Sequence, residues 1–386
     1  MSGDRFLPFA LPDIGEAEIA EVVETLRSGW ITTGPKSRQF EQDFARLMGG
    51  GDLTAIAVNS ATAGLHLAVE ALGIGPGDRV IVPTHTFTAT AEVIRYVGGD
   101  PIFVDVDPDS YCISVEAVSK VDAAGVRAII PVHFGGHPCD MTALQAICER
   151  RSWEIVEDAA HALPTRSSGR LVGTLDTAVT VFSFYATKTI TTGEGGMLLT
   201  RRLELAQRAR TMRLHGIDRD AFDRYSSPRP SWYYEVVAPG FKYNMTDVAA
   251  ALGIQQLRRV NEFQSRRTAI ADRYLYELRD LPIDLPPAGA AGDVHAWHLF
   301  VIRLAADHRR SRDEVIAELF RRGIGCSVHY VPLHRQPYWR DRYRLEPGMF
   351  PVSESIYQRG FSLPIYTRMS DEDQTRVIRA VREVLM

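Results

Sequence analysis

Residues 182–200 read FSFYATKTITTGEGGMLLT, and this stretch places a single lysine at the end of a strand-like run. The apolar run AVTVFSF leads to Lys188, the glycine-rich turn TTGEGG follows, and a second apolar run, MLLT, comes next. A buried lysine is costly unless its amine is neutralised or bonded. A Schiff base with a carbonyl compound would meet that need. The alternative, more common for a lysine considered alone, is that Lys188 reaches solvent from the strand end.

The composition is that of an ordinary globular protein, with 386 residues, 45% hydrophobic and 24% charged. The net charge of -4 gives no reason to expect nucleic acid as a partner. The four cysteines are scattered without a C-x-x-C pair, which favours a reducing compartment over a zinc or disulfide framework. The N-terminus lacks the apolar core of a signal peptide, and no stretch approaches the roughly 20 apolar residues of a membrane span. The sequence therefore predicts a cytoplasmic protein.

Before residue 200, short apolar runs alternate with helical patterns. Such alternation predicts a mainly parallel sheet that is buried on both faces. Ligands of such sheets gather beyond the carboxyl ends of the strands. The chain opens with a predicted helix, GEAEIAEVVETLRSG, and the strand-like runs that follow are TAIAVNS, DRVIVPTHTF, DPIFVDVD, VRAIIPVHF and WEIVEDAAH.

The alternation ends near Thr200. A long loop is predicted over DRDAFDRYSSPRPSWY, and the run from NMTDVAAALG to YLYELRDL predicts one very long helix or two in series. The linker IDLPPAGAAGD precedes predicted strands in AWHLFVIRL and IGCSVHYV, with helices between and after them. We therefore expect two domains. Residues 1–255 would form a large domain with an N-terminal helical segment, and residues 256–386 a small α+β domain that begins with the long helix.

Other polar residues also lie at predicted strand ends. Asp158 closes the apolar strand EIVED, where a carboxylate could keep a pyridine nitrogen protonated. Ser60, Ala61 and Thr62 open a predicted helix, and the free amides of a helix N-terminus favour a phosphate. Each signal has a plainer alternative, since aspartate often caps turns and helices, and serine and threonine are common helix caps.

Phe87 and Ser183 complete this set. Phe87 follows another predicted strand and could stack on a planar ring, with core packing as its alternative. Ser183 lies five residues before Lys188 and offers a hydroxyl. Together the candidates supply a Schiff-base lysine, a carboxylate for a ring nitrogen, a stacking aromatic and a phosphate cradle. Those are the four needs of pyridoxal 5'-phosphate (PLP).

The chain resembles the DegT/DnrJ/EryC1/StrS family of PLP-dependent nucleotide-sugar aminotransferases over nearly its whole length. The resemblance implies the type I aminotransferase fold: an α/β large domain with a mainly parallel seven-stranded sheet, plus a small C-terminal α+β domain. It also implies a homodimer with shared active sites. The motifs that carry it, in matching order and spacing, are SGWITTGPKSRQFE, NSATAGLHLAVEALGIGPGDRVIVPTHTFTATA, EDAAHA, FSFYATKTITTGEGG, GFKYNMTDVAAALGIQQL and GIGCSVHYVPLH.

The same resemblance implies roles for single residues. Lys188 would bond to PLP, Asp158 would pair with the pyridine nitrogen and Phe87 would stack on the ring. The family often has Gln three residues after the aspartate, where this chain has His161, as some members do. His161 is expected to act with Lys188 and Asp158 in catalysis and to contact the cofactor, and only its hydrogen bond on the ring-oxygen side is less defined. The alternative for a lone His is a structural role. The residues expected to hold the phosphate are Ala61, Thr62 and Ser183, with Asn244 from the neighbouring subunit.

Two segments and one lysine resemble substrate contacts of the family. They are Thr32, Thr33 and Gly34 in TTGP, His329, Tyr330 and His334 in VHYVPLH, and Lys242 in GFKYN. Hydrogen bonding within the loops is the alternative for the two segments, and a surface charge for Lys242.

The resemblance implies an amino transfer from an amino acid, with glutamate expected, to a nucleotide-linked keto sugar, with pyridoxamine 5'-phosphate as the intermediate cofactor form. The ATKTITTGEGG pattern is similar to members that aminate C-4 of 4-keto-6-deoxy sugars. Amination at C-3 is one alternative. A PLP-dependent sugar dehydratase, which carries His in place of Lys188, and a non-catalytic PLP-binding regulator are the others.

Overall fold

The computed structural model describes residues 6–218 and 233–386. The loop predicted over residues 218–233 lies outside the described residues except at its two ends.

The first two-thirds of the chain form a helix-covered sheet. Its helices are α1 (Glu16–Ser28), α2 (Pro35–Leu47), α3 (Ala61–Ala71), α4 (Ala89–Tyr96), α5 (Val115–Ser119), α6 (Met141–Arg151), α7 (Leu203–Met212) and α8 (Asp247–Arg258). Its strands are β1 (Thr54–Val58), β2 (Arg79–Pro83), β3 (Asp100–Val104), β4 (Val126–Ile129), β5 (Glu154–Asp158), β6 (Arg166–Ser167), β7 (Arg170–Leu171), β8 (Val179–Ser183) and β9 (Gly196–Thr200).

Seven of these strands form one sheet in the order β1-β9-β8-β5-β4-β2-β3. Strand β9 runs antiparallel to β1 and β8, whereas the β8-β5-β4-β2-β3 pairs are parallel. The predicted mainly parallel sheet is confirmed. The carboxyl ends of β1, β2, β5 and β8 therefore meet at one edge, where the predicted cofactor residues emerge.

The sheet is buried on both faces, as the apolar runs predict. On β8, Val181 packs into a cluster with Leu65 and Ala68 of α3. The next residue, Phe182, points to the opposite face and packs with Phe44 of α2, with ring centroids 5.2 Å apart. Alternation of side chains along a strand explains how one short segment joins two cores.

A smaller unit follows. Its sheet has the antiparallel order β10 (Ile283–Asp284), β11 (Phe300–Leu304) and β12 (Gly360–Leu363). Its helices are α9 (Val260–Glu277), α10 (Arg312–Arg321), α11 (Pro337–Tyr343), α12 (Pro351–Arg359) and α13 (Asp371–Leu385). Short 3-10 turns lie at Phe134–Gly136, Leu333–Arg335 and Pro347–Met349.

Parts of this unit differ from the sequence prediction, and one of them is β10, whose two residues begin the run IDLPPAGAAGD that was predicted as a linker. The run IGCSVHYV is not a strand, because its pairing is limited to two isolated bridges, between Ile324 and Leu7 and between Ser327 and Ser362. Ser362 lies in β12, which the sequence analysis missed because Gly360 and Ser362 interrupt its apolar pattern. Of the two predicted alternatives for the long helix, two helices in series is confirmed, since α8 ends at Arg258 and α9 begins at Val260.

The first described residues pack with the small unit. Leu7 forms a parallel bridge with Ile324, its amide donating to Gly323 O and its carbonyl accepting from Gly325 N, both at 2.8 Å. The Leu7 side chain lies in the cluster built by α9, α10 and α13. The predicted domain boundary at residues 255/256 stays a prediction. Leu7 shows that the N-terminal segment, which precedes this boundary in sequence, packs with the small unit that follows it.

Helix α1 turns its apolar side outward. Ile19 and Leu26 are 48% and 53% exposed, whereas Glu18 and Thr25 are each 1% exposed. Glu18 Oε1 accepts from Gln256 Nε2 at 2.8 Å, so its buried carboxylate is satisfied by α8. The apolar stripe of α1 is therefore left on the surface of the described chain.

Among the described residues, none of the helices combines the length and the apolar character that crossing a bilayer requires.

Candidate active site

A pocket of about 600 Å³ opens at the carboxyl edge of the large sheet. It brings together most of the cofactor residues expected from the sequence, and two of the expected substrate residues. The predicted residues that line it are Ser60, Ala61, Thr62, Phe87, Asp158, His161, Ser183, Lys188, His329 and Tyr330.

Lys188 lies in the turn between β8 and β9, where its amide donates to Tyr185 O at 2.9 Å. Hydroxyls of the following turn fix the backbone, since Thr191 Oγ1 donates to Phe184 O and Thr192 Oγ1 to Glu194 O. Removal from water lowers the pKa of Lys188 to about 8, and the charge of Asp158 only partly opposes this. An amine with this pKa is neutral often enough near physiological pH to act as a nucleophile or base.

Asp158 is 6% exposed and ends β5. One carboxylate oxygen accepts from Thr90 Oγ1 at 2.8 Å and the other from Ala160 N at 3.1 Å. Burial raises the pKa of this carboxyl, while the two hydrogen bonds and the charge of Lys188 act in the opposite direction. A carboxylate held in this way can keep a proton on a basic ring nitrogen.

The N-terminus of α3 faces the same pocket. Ser60 caps the helix, because its hydroxyl accepts from Ala63 N at 3.1 Å. The amides of Ala61 and Thr62 have no acceptor inside the helix and are open to an anion. Gly196 of β9 lies so close that an added Cβ would meet Ala61 N at 2.8 Å. The cradle is thus built by two elements in backbone contact.

His161 and Tyr330 form a hydrogen-bonded pair on the pocket wall. His161 Nδ1 accepts from Gly135 N at 3.2 Å, and its Nε2 lies 3.1 Å from Tyr330 Oη. Phe87 is 55% exposed, and its ring lies 5.8 Å from that of Tyr330. Phe87 is therefore available to stack on a ligand.

A second set of predicted residues lies outside this pocket. Asn244 pairs with Val58 at the end of β1, and its Nδ2 donates to Thr33 Oγ1 at 2.6 Å. Gly34 N donates to Asp247 Oδ1 at 2.7 Å, and Lys242 O accepts from Asn59 Nδ2 at 3.2 Å. Thr32 belongs to the same loop, and its carbonyl accepts from Asp247 N. In one chain these residues form a separate patch beside the pocket.

The expectation that His334 contacts substrate is contradicted. Its side chain is fully buried, with Nδ1 2.9 Å from Thr84 Oγ1 and Nε2 3.1 Å from Glu354 Oε2. Both ring nitrogens are occupied, so His334 joins the loop after β2 to α12. Its neighbours in sequence, His329 and Tyr330, do line the pocket.

The structure adds His298, which the sequence analysis missed. It is 5% exposed, lines the pocket just before β11, and its ring lies 4.4 Å from that of His161. The preceding Trp297 has a left-handed φ of 49°, and the buried Arg267 donates to its carbonyl at 3.0 Å. The candidates predicted for the cofactor follow the carboxyl ends of strands, whereas His298 enters the pocket from the start of a strand in the other unit.

Among the described residues, no group of His, Cys, Asp and Glu side chains could hold a metal ion.

Known proteins resemble this chain along its length. A sequence profile of the DegT/DnrJ/EryC1/StrS aminotransferase family matches residues 12–382. The spore coat polysaccharide biosynthesis protein SpsC of Bacillus subtilis is 44% identical, over 99% of this chain and 98% of its own. The putative sugar aminotransferase Spr1654 of Streptococcus pneumoniae, solved in its PMP form, superposes with a TM-score of 0.91 at 33% identity, covering 98% of each chain.

A third relative, DesV of S. venezuelae in complex with a ketimine intermediate, superposes with a TM-score of 0.87 at 35% identity over 98% of each chain. PLP fits the residues present in our structure, because a neutralisable lysine, a buried carboxylate and an open helix N-terminus share one pocket. The chain belongs to the DegT/DnrJ/EryC1/StrS aminotransferase family, with the type I aminotransferase fold, and is a PLP-dependent sugar aminotransferase whose cofactor passes through the pyridoxamine form.

Proposed function

We propose that this enzyme moves an amino group from glutamate to C-4 of a nucleotide-linked 4-keto-6-deoxy sugar. The observation that carries the proposal is Lys188, which lies in one pocket with Asp158 and is followed by TTGEGG. The lysine favours amino transfer, and the turn sequence favours C-4.

The residues of the chain would divide the chemistry among them. PLP, when bound, supplies a protonated ring that takes up the electron pair released at the donor's α-carbon. Asp158 holds the proton on the ring nitrogen, and the first turn of α3 with Ser183 holds the phosphate. Lys188 Nζ takes the proton from the α-carbon of the donor, because it is the amine that lines the pocket and its burial favours the neutral form that a base requires.

We further propose a homodimer in which the patch around Asn244 completes the neighbour's pocket. The support is geometric. The loop of Thr33 and Gly34 is hydrogen-bonded to the segment that contains Asn244. None of these three residues lines the pocket of its own chain. The outward apolar side of α1 adds surface that a second copy could cover.

A cytoplasmic location is proposed from the free cysteines, of which three are buried.

Each competing function makes a different prediction. A sugar dehydratase would need His where this chain has Lys188. A non-catalytic regulator would hold PLP, but the yellow colour would not bleach on addition of glutamate, whereas the transaminase should bleach.

The test of which sugar carbon is aminated is incubation with glutamate and a panel of 4-keto nucleotide sugars, followed by NMR of the product. Nitrogen on C-4 is the expected result, and nitrogen on C-3 would overturn the position while leaving the family unchanged.

A further inference from the structure

The tautomer of His161 is fixed by its neighbours. The amide of Gly135 can only donate, so His161 Nδ1 must accept at 3.2 Å and carries no hydrogen. Burial, with the charge of Lys188 adding to it, lowers the pKa of His161 well below its ordinary value. The ring is therefore neutral with its hydrogen on Nε2, and this hydrogen is donated to Tyr330 Oη at 3.1 Å.

This arrangement decides what the Tyr330 hydroxyl can do. Its oxygen accepts from His161, so its own hydrogen must point elsewhere. Among the described residues, His161 is the one hydrogen-bond partner of this hydroxyl, and Tyr330 lines the pocket. The rings of Phe87 and Phe134, 5.8 and 6.4 Å away, restrict its movement. Burial, followed by the charge of Asp158, raises the pKa of Tyr330, so the hydroxyl stays protonated.

We infer that Tyr330 donates its hydroxyl hydrogen to the phenolic oxygen of bound PLP, and that His161 is the positioning residue that makes this hydroxyl a donor. The phenolic oxygen is the anionic acceptor of the ring whose nitrogen Asp158 would hold, and Tyr330 and Asp158 line the same pocket. The single Nε2 hydrogen of His161 is already given to Tyr330. The inference rests on the cofactor and is independent of the sugar.

The hydrogen bond has a spectroscopic consequence. The negative charge on the phenolic oxygen favours a proton on the Lys188 nitrogen once that nitrogen is bonded to PLP. A donor at the oxygen disperses that charge and lowers the pKa of the nitrogen. Without the donor the pKa should rise, and the pH dependence of the cofactor's visible absorbance should move with it.

The experiment is a spectrophotometric pH titration of the PLP-loaded enzyme without substrate. Tyr330→Phe should raise the midpoint by about one pH unit, as expected for loss of a charge-assisted hydrogen bond. His161→Phe should cause a smaller shift in the same direction, because the hydroxyl remains but is no longer oriented. The double variant should shift no further than Tyr330→Phe alone.

Two further variants serve as controls. His161→Gln should restore the wild-type midpoint, because the amide oxygen can accept from Gly135 N and the amide nitrogen can donate to Tyr330. Tyr338→Phe removes an exposed hydroxyl outside the pocket and should leave the midpoint unchanged. Circular dichroism and cofactor content show whether each variant is folded and loaded.

A wild-type midpoint for folded, loaded Tyr330→Phe would overturn the inference. A shift in Tyr330→Phe together with none in His161→Phe, or no restoration in His161→Gln, would overturn the part given to His161. None of these outcomes depends on turnover, so failure of the proposed sugar reaction would be seen separately in the product assay.

Discussion

At the scale of single residues, Lys188 and Asp158 stabilise each other's charged form while the pocket destabilises both. Burial raises the pKa of Asp158 and lowers that of Lys188, and each charge partly reverses the shift of the other. The amine is thereby left with a pKa of about 8 before any cofactor is bound. This value sets how the empty enzyme captures PLP.

The capture rate should therefore follow the neutral fraction of Lys188. We expect the rate of PLP incorporation into the apoenzyme to rise with pH and level off above a midpoint of about 8, measured by stopped-flow absorbance. An unperturbed lysine would have its midpoint at about 10.4. Asp158→Asn removes the charge that raises the lysine pKa, so its midpoint should lie lower.

The control is Lys120→Arg, which alters an exposed lysine paired with Glu116 and should leave the profile unchanged. A wild-type midpoint near that of free lysine would contradict the buried amine.

Residues at strand ends were predictable, and residues brought in by other elements were not. Lys188 and Asp158 follow apolar strands, and sheet topology alone places such ends together. His298 comes from the start of β11 in the other unit, so its place depends on packing between units. The prediction for His334 was wrong for a related reason. The motif VHYVPLH does not show that this ring is buried and hydrogen-bonded to Glu354 of α12.

At the scale of elements, the phosphate cradle depends on how closely β9 approaches α3. A methyl group on Gly196 would meet Ala61 N and Ser60 C at 2.8 Å and Phe182 O at 2.9 Å. All three are backbone atoms, which cannot move aside as a flexible side chain would. The N-terminus of α3 would have to shift to make room.

Gly196→Ala should therefore weaken both PLP binding and the fold. We expect a raised Kd for PLP, measured by equilibrium dialysis, and a loss of about 1–3 kcal/mol in the free energy of unfolding by urea. Gly348→Ala is the matched control, because a Cβ there meets nothing within 4 Å. Unchanged PLP affinity in Gly196→Ala would show that the cradle does not need this contact.

Most strands of the large sheet were predicted from periodicity, whereas the strands of the small unit were predicted less well. The apolar runs of β1, β2, β3, β5 and β8 are continuous, which is typical of strands covered on both faces. The run IGCSVHYV was also predicted as a strand, yet it makes only two isolated bridges, because pairing also requires an available neighbour. Strand β12 was missed since Gly360 and Ser362 carry little apolar signal.

At the scale of the whole molecule, the patch around Asn244 gives the dimer proposal a direct test. Asn244→Asp would place a carboxylate beside the phosphate and should nearly abolish activity, as should Lys188→Ala. When the two inactive variants exchange subunits, random mixing makes about half of the dimers hybrids. If Asn244 serves the neighbour, each hybrid has one intact site, so about a quarter of wild-type activity should return.

If Asn244 served its own chain, every site in a hybrid would keep one defect. No recovery, with subunit exchange confirmed by native mass spectrometry, would therefore rule out the shared site. Each variant mixed with itself is the control and should stay inactive.

The bridge between Leu7 and Ile324 also constrains the order of events during synthesis. Leu7 emerges from the ribosome early, whereas its partner, Ile324, is synthesised about three hundred residues later. At about 5–20 residues per second, the segment that pairs with Leu7 is synthesised roughly 15–60 s after Leu7. The large sheet can form in that interval with its leading segment still untethered. Nascent chains stalled before Ile324 should therefore be cleaved near Leu7 by added protease, while released full-length chains should resist cleavage there.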